Sequence, residues 1–143
     1  MIALRVLLVD DEADFAEVLA ERMSARGLHV DVSTTGPQAL EMAQAKIYDA
    51  VILDMAMPGM NGLATLKRLL ANNSDLQVIF LTGRATLQDG LDAMRSGAME
   101  FFEKPPDLDK LIDKIGDARS KRARLTEQRL EDTVQELIRR KGW

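Results

Sequence analysis

The sequence predicts an α/β fold in which a parallel β-sheet carries helices on both faces. First, five short strand-like segments alternate with segments whose apolar residues recur at helical spacing. Second, the segments at 5–10, 49–54 and 77–81 are apolar on both sides, which is typical of central strands in such a sheet. Third, apolar and polar residues alternate over 28–33, which predicts a half-buried strand at an edge of the sheet.

The first half of the chain divides into five elements. A β-branched-rich run is followed by helically spaced apolar residues, and Gly27 ends that helix as a C-cap would. A short helical pattern then separates the alternating strand from a fully apolar one. The predicted elements, in order, are the strand 5–10, the helix 13–26, the strand 28–33, the helix 36–46 and the strand 49–54.

The second half continues the alternation, with one weak element. Gly90 lies inside the helix predicted over 85–95, where it costs about 1 kcal/mol relative to alanine. The pair Asp89–Gly90 could alternatively form a hairpin turn, but the flanking residues lack the alternation of strands. Asp107 is a good N-cap for the last helix. The predicted elements are the helix 63–72, the strand 77–81, the helix 85–95, the strand 100–103 and a helix from Leu108.

The C-terminal segment differs in composition from the rest. Residues 117–143 carry eight basic and five acidic side chains, whereas residues 1–116 carry 11 basic and 18 acidic ones. Leu130, Val134 and Leu137 are spaced like a coiled-coil seam, or they cover apolar surface of the body. We therefore expect a domain over 1–118, and a charged amphipathic helical extension or linker over 119–143. Either the last helix runs on into this extension, or the extension is a separate helix.

Composition excludes several functional classes. The 143 residues are 46% hydrophobic and 29% charged, enough for one domain with a proper core. Because the chain has no cysteine and one histidine, disulfides, thiolate metal sites and multi-histidine zinc sites are excluded. The acidic body argues against direct nucleic-acid binding. No apolar run is long enough for a membrane span and no secretory signal is evident, so we expect a cytoplasmic protein.

Acidic residues stand where two apolar strands end. Asp10 and Asp11 close the first predicted strand, and Asp54 closes the third. If these strands are neighbours, three carboxylates meet in one cleft, because ligands of an open parallel sheet bind at the carboxyl ends of its strands. Like charges so close need a cation. Oxygen ligands without nearby histidine or cysteine favour Mg²⁺.

A hydroxyl and an ammonium stand at the two other strand ends. Thr82 follows the fourth predicted strand and Lys104 follows the fifth. Facing a metal-bound carboxylate, these groups make a binding site for phosphoryl oxygens. Asp54 at the mouth of that site can act as a nucleophile that accepts a phosphoryl group.

The motifs together closely resemble the receiver domain of bacterial two-component response regulators. The resemblance covers about residues 4–116, and both the order and the spacing of the motifs agree. It implies a flavodoxin-like, doubly wound sheet with the strand order 2-1-3-4-5. The matching stretches are VLLVDDE at 6–12, VILDMAMPGMNG at 51–62, VIFLTGRA at 78–85 and GAMEFFEKP at 97–105.

The resemblance also implies roles for the acidic residues. Asp54 would be the phosphoacceptor. Asp10 and Asp11 would be the Mg²⁺ pair, Asp54 would contribute a further ligand, and the backbone carbonyl of Met55 would complete the set.

Three further residues acquire roles from the same resemblance. Lys104 would bind the phosphoryl group, and in the family this lysine is often followed by a cis proline, here Pro105. Thr82 would be the switch hydroxyl. Phe101 would be the switch aromatic, and unlike the frequent tyrosine it offers no hydroxyl to a partner.

In this family a histidine kinase or a phosphotransfer protein donates the phosphoryl group. The domain promotes only its own phosphorylation and dephosphorylation, so it is not an enzyme acting on a separate substrate. Thr82 and Phe101 would relay the change to a face built from residues 85–116, which would control a protein partner or self-association. No membrane partner is expected. Two alternatives are the receiver fragment of a longer transcriptional regulator and a scaffold that is not phosphorylated.

Rival classes fit the residues less well. A phosphatase of the haloacid-dehalogenase type needs a second aspartate two residues after the nucleophile, and that position is Ala56. A dinucleotide-binding fold needs a glycine-rich turn after the first strand, where this chain has Asp10, Asp11 and Glu12. A scaffold that is not phosphorylated would lack some of the five charged or hydroxyl residues at the strand ends. All five are present: Asp10, Asp11, Asp54, Thr82 and Lys104.

Overall fold

The computed structural model describes residues 2–57, 61–83 and 86–142. Residues 58–60 of the motif VILDMAMPGMNG, and the predicted helix start at residue 85, lie outside these ranges. The strands are β1 (Arg5–Val9), β2 (His29–Ser33), β3 (Ala50–Leu53), β4 (Val78–Thr82) and β5 (Glu100–Glu103). The helices are α1 (Ala13–Ala25), α2 (Gly36–Ala45), α3 (Gly62–Asn72), α4 (Leu87–Arg95) and α5 (Leu108–Arg140).

The five strands form one parallel sheet in the order β2-β1-β3-β4-β5. This confirms the predicted fold class and strand order. The alternating segment β2 lies at an edge, and the fully apolar strands β1, β3 and β4 lie inside the sheet. Because β1 and β3 pair in register, from Val6 opposite Ala50 to Val9 opposite Leu53, the residues that follow these two strands become neighbours.

Two apolar layers cover the sheet, one on each face. Alternate residues of β1 enter different layers, because successive side chains of a strand point to opposite faces. One layer contains Leu7 and Val9 with residues of α2, α3 and α4, and the other contains Val6 and Leu8 with residues of α1 and α5. Each buried Val, Leu or Ile contributes about 1.5–3 kcal/mol. The layers therefore hold the carboxyl ends of the strands in fixed positions.

Side-chain caps fix the starts of several helices. Asp107 accepts a hydrogen bond from the Lys110 backbone N–H at 3.1 Å, as the sequence predicted for the N-cap of α5. Thr86 and Asp89 form a reciprocal capping box at the start of α4. Gly90 therefore lies within a helix, and the alternative hairpin is wrong.

Helix α5 runs without a break from Leu108 to Arg140. Of the two arrangements left open for the C-terminal segment, the structure has the first, in which the last helix continues. Within the described ranges, every helix is too short or too polar to cross a membrane.

Candidate functional site

The site lies where β1 and β3 end, and a buried aspartate directly follows each of these strands. Asp10 follows β1 and is 1% exposed, and Asp54 follows β3 and is 5% exposed. Their backbones still belong to the ladder, because the Asp10 N–H donates to Ser33 O at 3.0 Å and the Asp54 N–H donates to Val9 O at 2.9 Å. The sheet itself therefore brings these two carboxylates together.

Lys104, which follows β5, places its ammonium between these carboxylates. Its Nζ lies 2.7 Å from Asp10 Oδ2, 3.0 Å from Glu12 Oε1 and 3.7 Å from Asp54 Oδ2. The same atom lies 4.5 Å from the centre of the Phe15 ring, within the range of a cation–π contact. Lys104 is thus held mainly by Asp10 and Glu12, and Asp54 receives a weaker share of its charge.

Burial and like charges leave Asp54 with an altered affinity for protons. Burial raises the pKa of Asp54 to about 6, and the carboxylates of Asp10 and Asp11 act in the same direction. The backbone N–H of Ala56, 3.3 Å from Oδ1, and the Lys104 ammonium oppose this rise in the pKa. For Lys104, burial would lower the pKa, but the bonds to Asp10 and Glu12 outweigh it and raise the pKa. Perturbation of this kind is typical of functional carboxylates.

The carboxylates fit a hard divalent cation. Asp10, Glu12 and Asp54 each offer one oxygen, and these three oxygens lie within 4.8 Å of one another. An all-oxygen set of this kind suits Mg²⁺. The structure brings Glu12 to this group, whereas Asp11 is exposed and contributes to the site through its charge on Asp54. The sequence did not predict Glu12, although it directly follows the aspartate pair.

The turn after Asp54 depends on a close approach by α3. The Gly62 N–H donates to the carbonyl of Met55 at 2.9 Å. A side chain at Gly62 would place its Cβ 2.5 Å from the Asp54 carbonyl oxygen and 2.9 Å from Phe80. Since atoms cannot approach so closely, this position requires glycine. The Met55 carbonyl, predicted as a metal ligand, keeps a second lone pair for another partner.

Thr82 and Phe101, the two predicted switch residues, lie on the neighbouring strands β4 and β5. Thr82 is the last residue of β4 and is 4% exposed, and its carbonyl accepts from the Lys104 N–H at 2.8 Å. Phe101, on β5, is half-buried and packs against the apolar layer that contains Phe80. The peptide bond between Lys104 and Pro105 is cis, as the resemblance implied. The switch roles of Thr82 and Phe101 remain predictions.

The chain belongs to the response regulator receiver domain family, whose model matches residues 6–116. Receiver domains of this family are signalling switches of two-component systems rather than typical enzymes.

Curated relatives of the chain are much longer proteins. The transcriptional regulatory protein ZraR of Escherichia coli (strain K12) is 32% identical over 106 residues, which make up 74% of this chain and 24% of ZraR. The C4-dicarboxylate transport transcriptional regulatory protein DctD of Rhizobium meliloti is 32% identical over 124 residues, which make up 87% of this chain and 27% of DctD. The chain therefore spans about a quarter of the length of these relatives.

Solved receiver structures share the fold over most of the chain. A response regulator receiver domain protein from Clostridium thermocellum has 27% identity and a TM-score of 0.79, covering 85% of this chain and 98% of that chain. The response regulator protein TrrA from Thermotoga maritima, in complex with Mg²⁺-BeF, has 31% identity and a TM-score of 0.72, covering 80% of this chain and 98% of TrrA.

Proposed function

We propose that this chain is a phosphorylation-dependent switch in which Asp54 accepts a phosphoryl group from a histidine kinase or a phosphotransfer protein, in the cytoplasm. One observation carries the proposal. Asp54 is buried among the carboxylates of Asp10 and Glu12, and the ammonium of Lys104, its ion-pair partner among the described residues, lies closer to those two groups than to Asp54. A carboxylate held in this way is available to react.

The proposed transfer makes one bond and breaks one. A carboxylate oxygen of Asp54 forms a bond to phosphorus while the bond from phosphorus to the donor breaks. With a pKa of about 6, Asp54 is mostly ionised at pH 7, as a nucleophile must be. Lys104, whose Nζ lies 3.7 Å from Asp54 Oδ2, would neutralise charge on the incoming group.

A divalent cation fits this scheme. Asp10, Asp54 and the Met55 carbonyl would hold Mg²⁺ together with Asp11, with Glu12 as a further candidate ligand in reach. Bound there, Mg²⁺ supplies positive charge that stabilises the transferring group.

The signal would leave the site through Thr82 and Phe101. A phosphoryl group on Asp54 adds roughly two negative charges and strong hydrogen-bond acceptors near the Thr82 hydroxyl. Thr82 moves toward these acceptors, and Phe101 fills the vacated space. The face formed by residues 85–116 then changes, within which the structure describes residues 86–116. This change controls a protein partner or self-association, without direct nucleic-acid binding by this chain.

A second candidate is the receiver portion of a longer transcriptional regulator. It is favoured by the names of ZraR and DctD and by the quarter of their length that this chain spans. In that case the same switch acts on an output domain in the longer protein. The phosphorylation chemistry at Asp54 is identical in both candidates.

Intact-mass analysis after incubation with acetyl phosphate and Mg²⁺ tests the proposal. Wild type should gain one labile phosphoryl group, whereas Asp54→Asn and an EDTA-treated sample should gain none. Asp14→Asn makes the same chemical change at an exposed aspartate of α1 and should behave as wild type. Size-exclusion chromatography of the same samples reports self-association. A folded wild type without an adduct would refute the proposal and favour the scaffold that is not phosphorylated.

A further inference from the structure

A second set of buried carboxylates lies at the end of the sheet where the strands begin. We infer that Asp49 and Asp75 clamp helix α5 beneath this end, so that residues 119–129 belong to the receiver body and residues 130–140 form a rigid arm of fixed direction. The inference does not depend on phosphorylation. It also moves the expected domain boundary from residue 118 to about residue 129.

The first anchor is Asp49, which directly precedes β3 and is 4% exposed. Its Oδ2 accepts from the Arg5 backbone N–H at 2.8 Å and from Arg119 Nη2 at 2.9 Å. Its Oδ1 accepts from Arg122 Nη2 at 2.7 Å. Both oxygens of one buried carboxylate are therefore engaged, mostly by side chains of α5.

Arg119 also joins α5 to the segment that precedes β1. Its Nη1 donates to the carbonyl of Ile2 at 2.7 Å, and its Nη2 donates to the carbonyl of Ala3 at 2.6 Å. The planar guanidinium has donors in a fixed fork, so these contacts constrain its orientation as well as its position. The helix is thus fastened to the segment before β1 and to the residue before β3 at once.

The second anchor is Asp75, which lies three residues before β4 and is 7% exposed. It accepts from the Thr126 hydroxyl at 2.9 Å and forms an ion pair with Arg129. The two anchors precede neighbouring strands of the sheet. The two anchors extend the attached part of α5 as far as Arg129 and restrain bending of the helix over that length.

The sequence of α5 matches this path. Leu111, Ile115 and Ala118 are fully buried in the apolar layer. The contacting residues that follow are polar: Arg119, Arg122, Thr126 and Arg129 continue at helical spacing on the same side. The helix surface changes from apolar to charged where α5 leaves the face of the sheet and reaches the residues that precede β3 and β4.

Beyond the clamp, the large apolar side chains of α5 are exposed. Leu130, Val134 and Leu137 are 62%, 54% and 51% exposed. Glu136 pairs with Arg139 and Arg140 within the arm itself. The arm therefore takes its direction from residues 119–129, and any output attached to it turns with the receiver body.

Distance measurements between two spin labels test the clamp. Since the chain has no cysteine, Lys67→Cys on α3 and Gln135→Cys on the arm provide unique labelling positions, and both residues are exposed. We compare the parent pair with versions that also carry Thr126→Val and Arg129→Gln, or Asp75→Asn. Glu136→Gln is the matched control, since it removes ion pairs of the arm only. Circular dichroism verifies that each protein is folded.

The clamp predicts one narrow distance peak for the parent and for Glu136→Gln, and a clearly broader distance distribution when the Asp75 contacts are removed. If Asp75→Asn does not fold, the variant with Thr126→Val and Arg129→Gln decides the matter. A broad distribution in the parent would overturn the inference. So would a peak that stays equally narrow in the clamp variants, because the stiffness of a continuous helix alone would then set the direction of the arm.

Discussion

Aspartates are buried both where the strands of the sheet end and where they begin, but their charge is compensated differently at the two places. Where the strands end, the carboxylates of Asp10, Glu12 and Asp54 share the ammonium of Lys104. Where they begin, Asp49 alone has two guanidinium partners and a backbone N–H. Burial raises the pKa of Asp54 to about 6. Burial would also raise the pKa of Asp49, but the bonds from Arg119, Arg5 and Arg122 outweigh it and lower the pKa.

The comparison shows that burial alone does not identify a reactive carboxylate. A buried charge costs free energy unless partners satisfy it, and breaking a satisfied pair is strongly destabilising. Asp49 has the partners expected of a structural anchor. Among the described residues, Asp54 has the Ala56 N–H at 3.3 Å and the Lys104 ammonium at 3.7 Å, and such weak compensation is typical of carboxylates at functional sites.

The largest expected effect is that of Asp49→Asn. Removing this charge leaves Arg119 and Arg122 without their anion at a buried site, so the free energy of unfolding at pH 7 should fall by about 3 kcal/mol. Because the folded-state pKa of Asp49 is lowered, this stabilisation is present above about pH 4 and is lost as the pH falls through the folded-state pKa. Urea unfolding between pH 3 and pH 7 measures the difference.

The control for this change is Asp109→Asn. The ion pair between Arg26 and Asp109 is exposed on both sides, so its loss should cost at most about 1 kcal/mol. Equal effects of the two substitutions would show that Asp49 is no more than another surface charge.

A smaller effect of opposite sign is expected for Asp54→Asn. The pKa of Asp54 is raised from near 4 to about 6, so the ionised form destabilises the fold fully above pH 6 and not at all below about pH 4. In EDTA at pH 7 the variant should therefore be more stable than wild type by about 2 kcal/mol. The gain should vanish at pH 4. A loss of stability at pH 7 would mean that Asp54 is compensated as well as Asp49 is.

The smallest effect concerns the ring of Phe15 beneath Lys104. A double-mutant cycle combining Phe15→Leu with Lys104→Met should give a coupling free energy of about 0.5–1 kcal/mol, as expected for a cation–π contact. A cycle with Phe15→Tyr in place of Phe15→Leu should show much less coupling, since tyrosine keeps an aromatic face. Zero coupling in the cycle with Phe15→Leu would mean that the carboxylates alone hold Lys104 in place and that the ring contributes nothing.

Much of the fold could be predicted from local pattern. The alternation in β2 and the fully apolar runs of β1 and β3 distinguished an edge strand from central ones, because burial on one or two faces leaves a different periodicity. The course of α5 after residue 118 could not be predicted. The charged segment shows the same helical pattern whether it continues the preceding helix or forms a separate one. The sequence therefore did not distinguish these two arrangements.

The candidate site could be predicted in part. Asp10, Asp54, Thr82 and Lys104 stand at strand ends, and a parallel sheet brings strand ends together. The contact between Glu12 and Lys104 depends on the conformations of two long side chains, and the spacing of residues in the sequence does not determine these conformations. Asp49 and Asp75 were missed because their partners lie 51 to 73 residues away on α5.

The most direct test of the account is to map the phosphorylated residue. After reaction with acetyl phosphate and Mg²⁺, borohydride reduction converts an aspartyl phosphate to homoserine, which tandem mass spectrometry locates in the chain. Homoserine is expected at position 54 alone and not in EDTA, with Asp49 and Asp75 unmodified although they are also buried. Homoserine at any other aspartate, or at none in a folded protein, would contradict it.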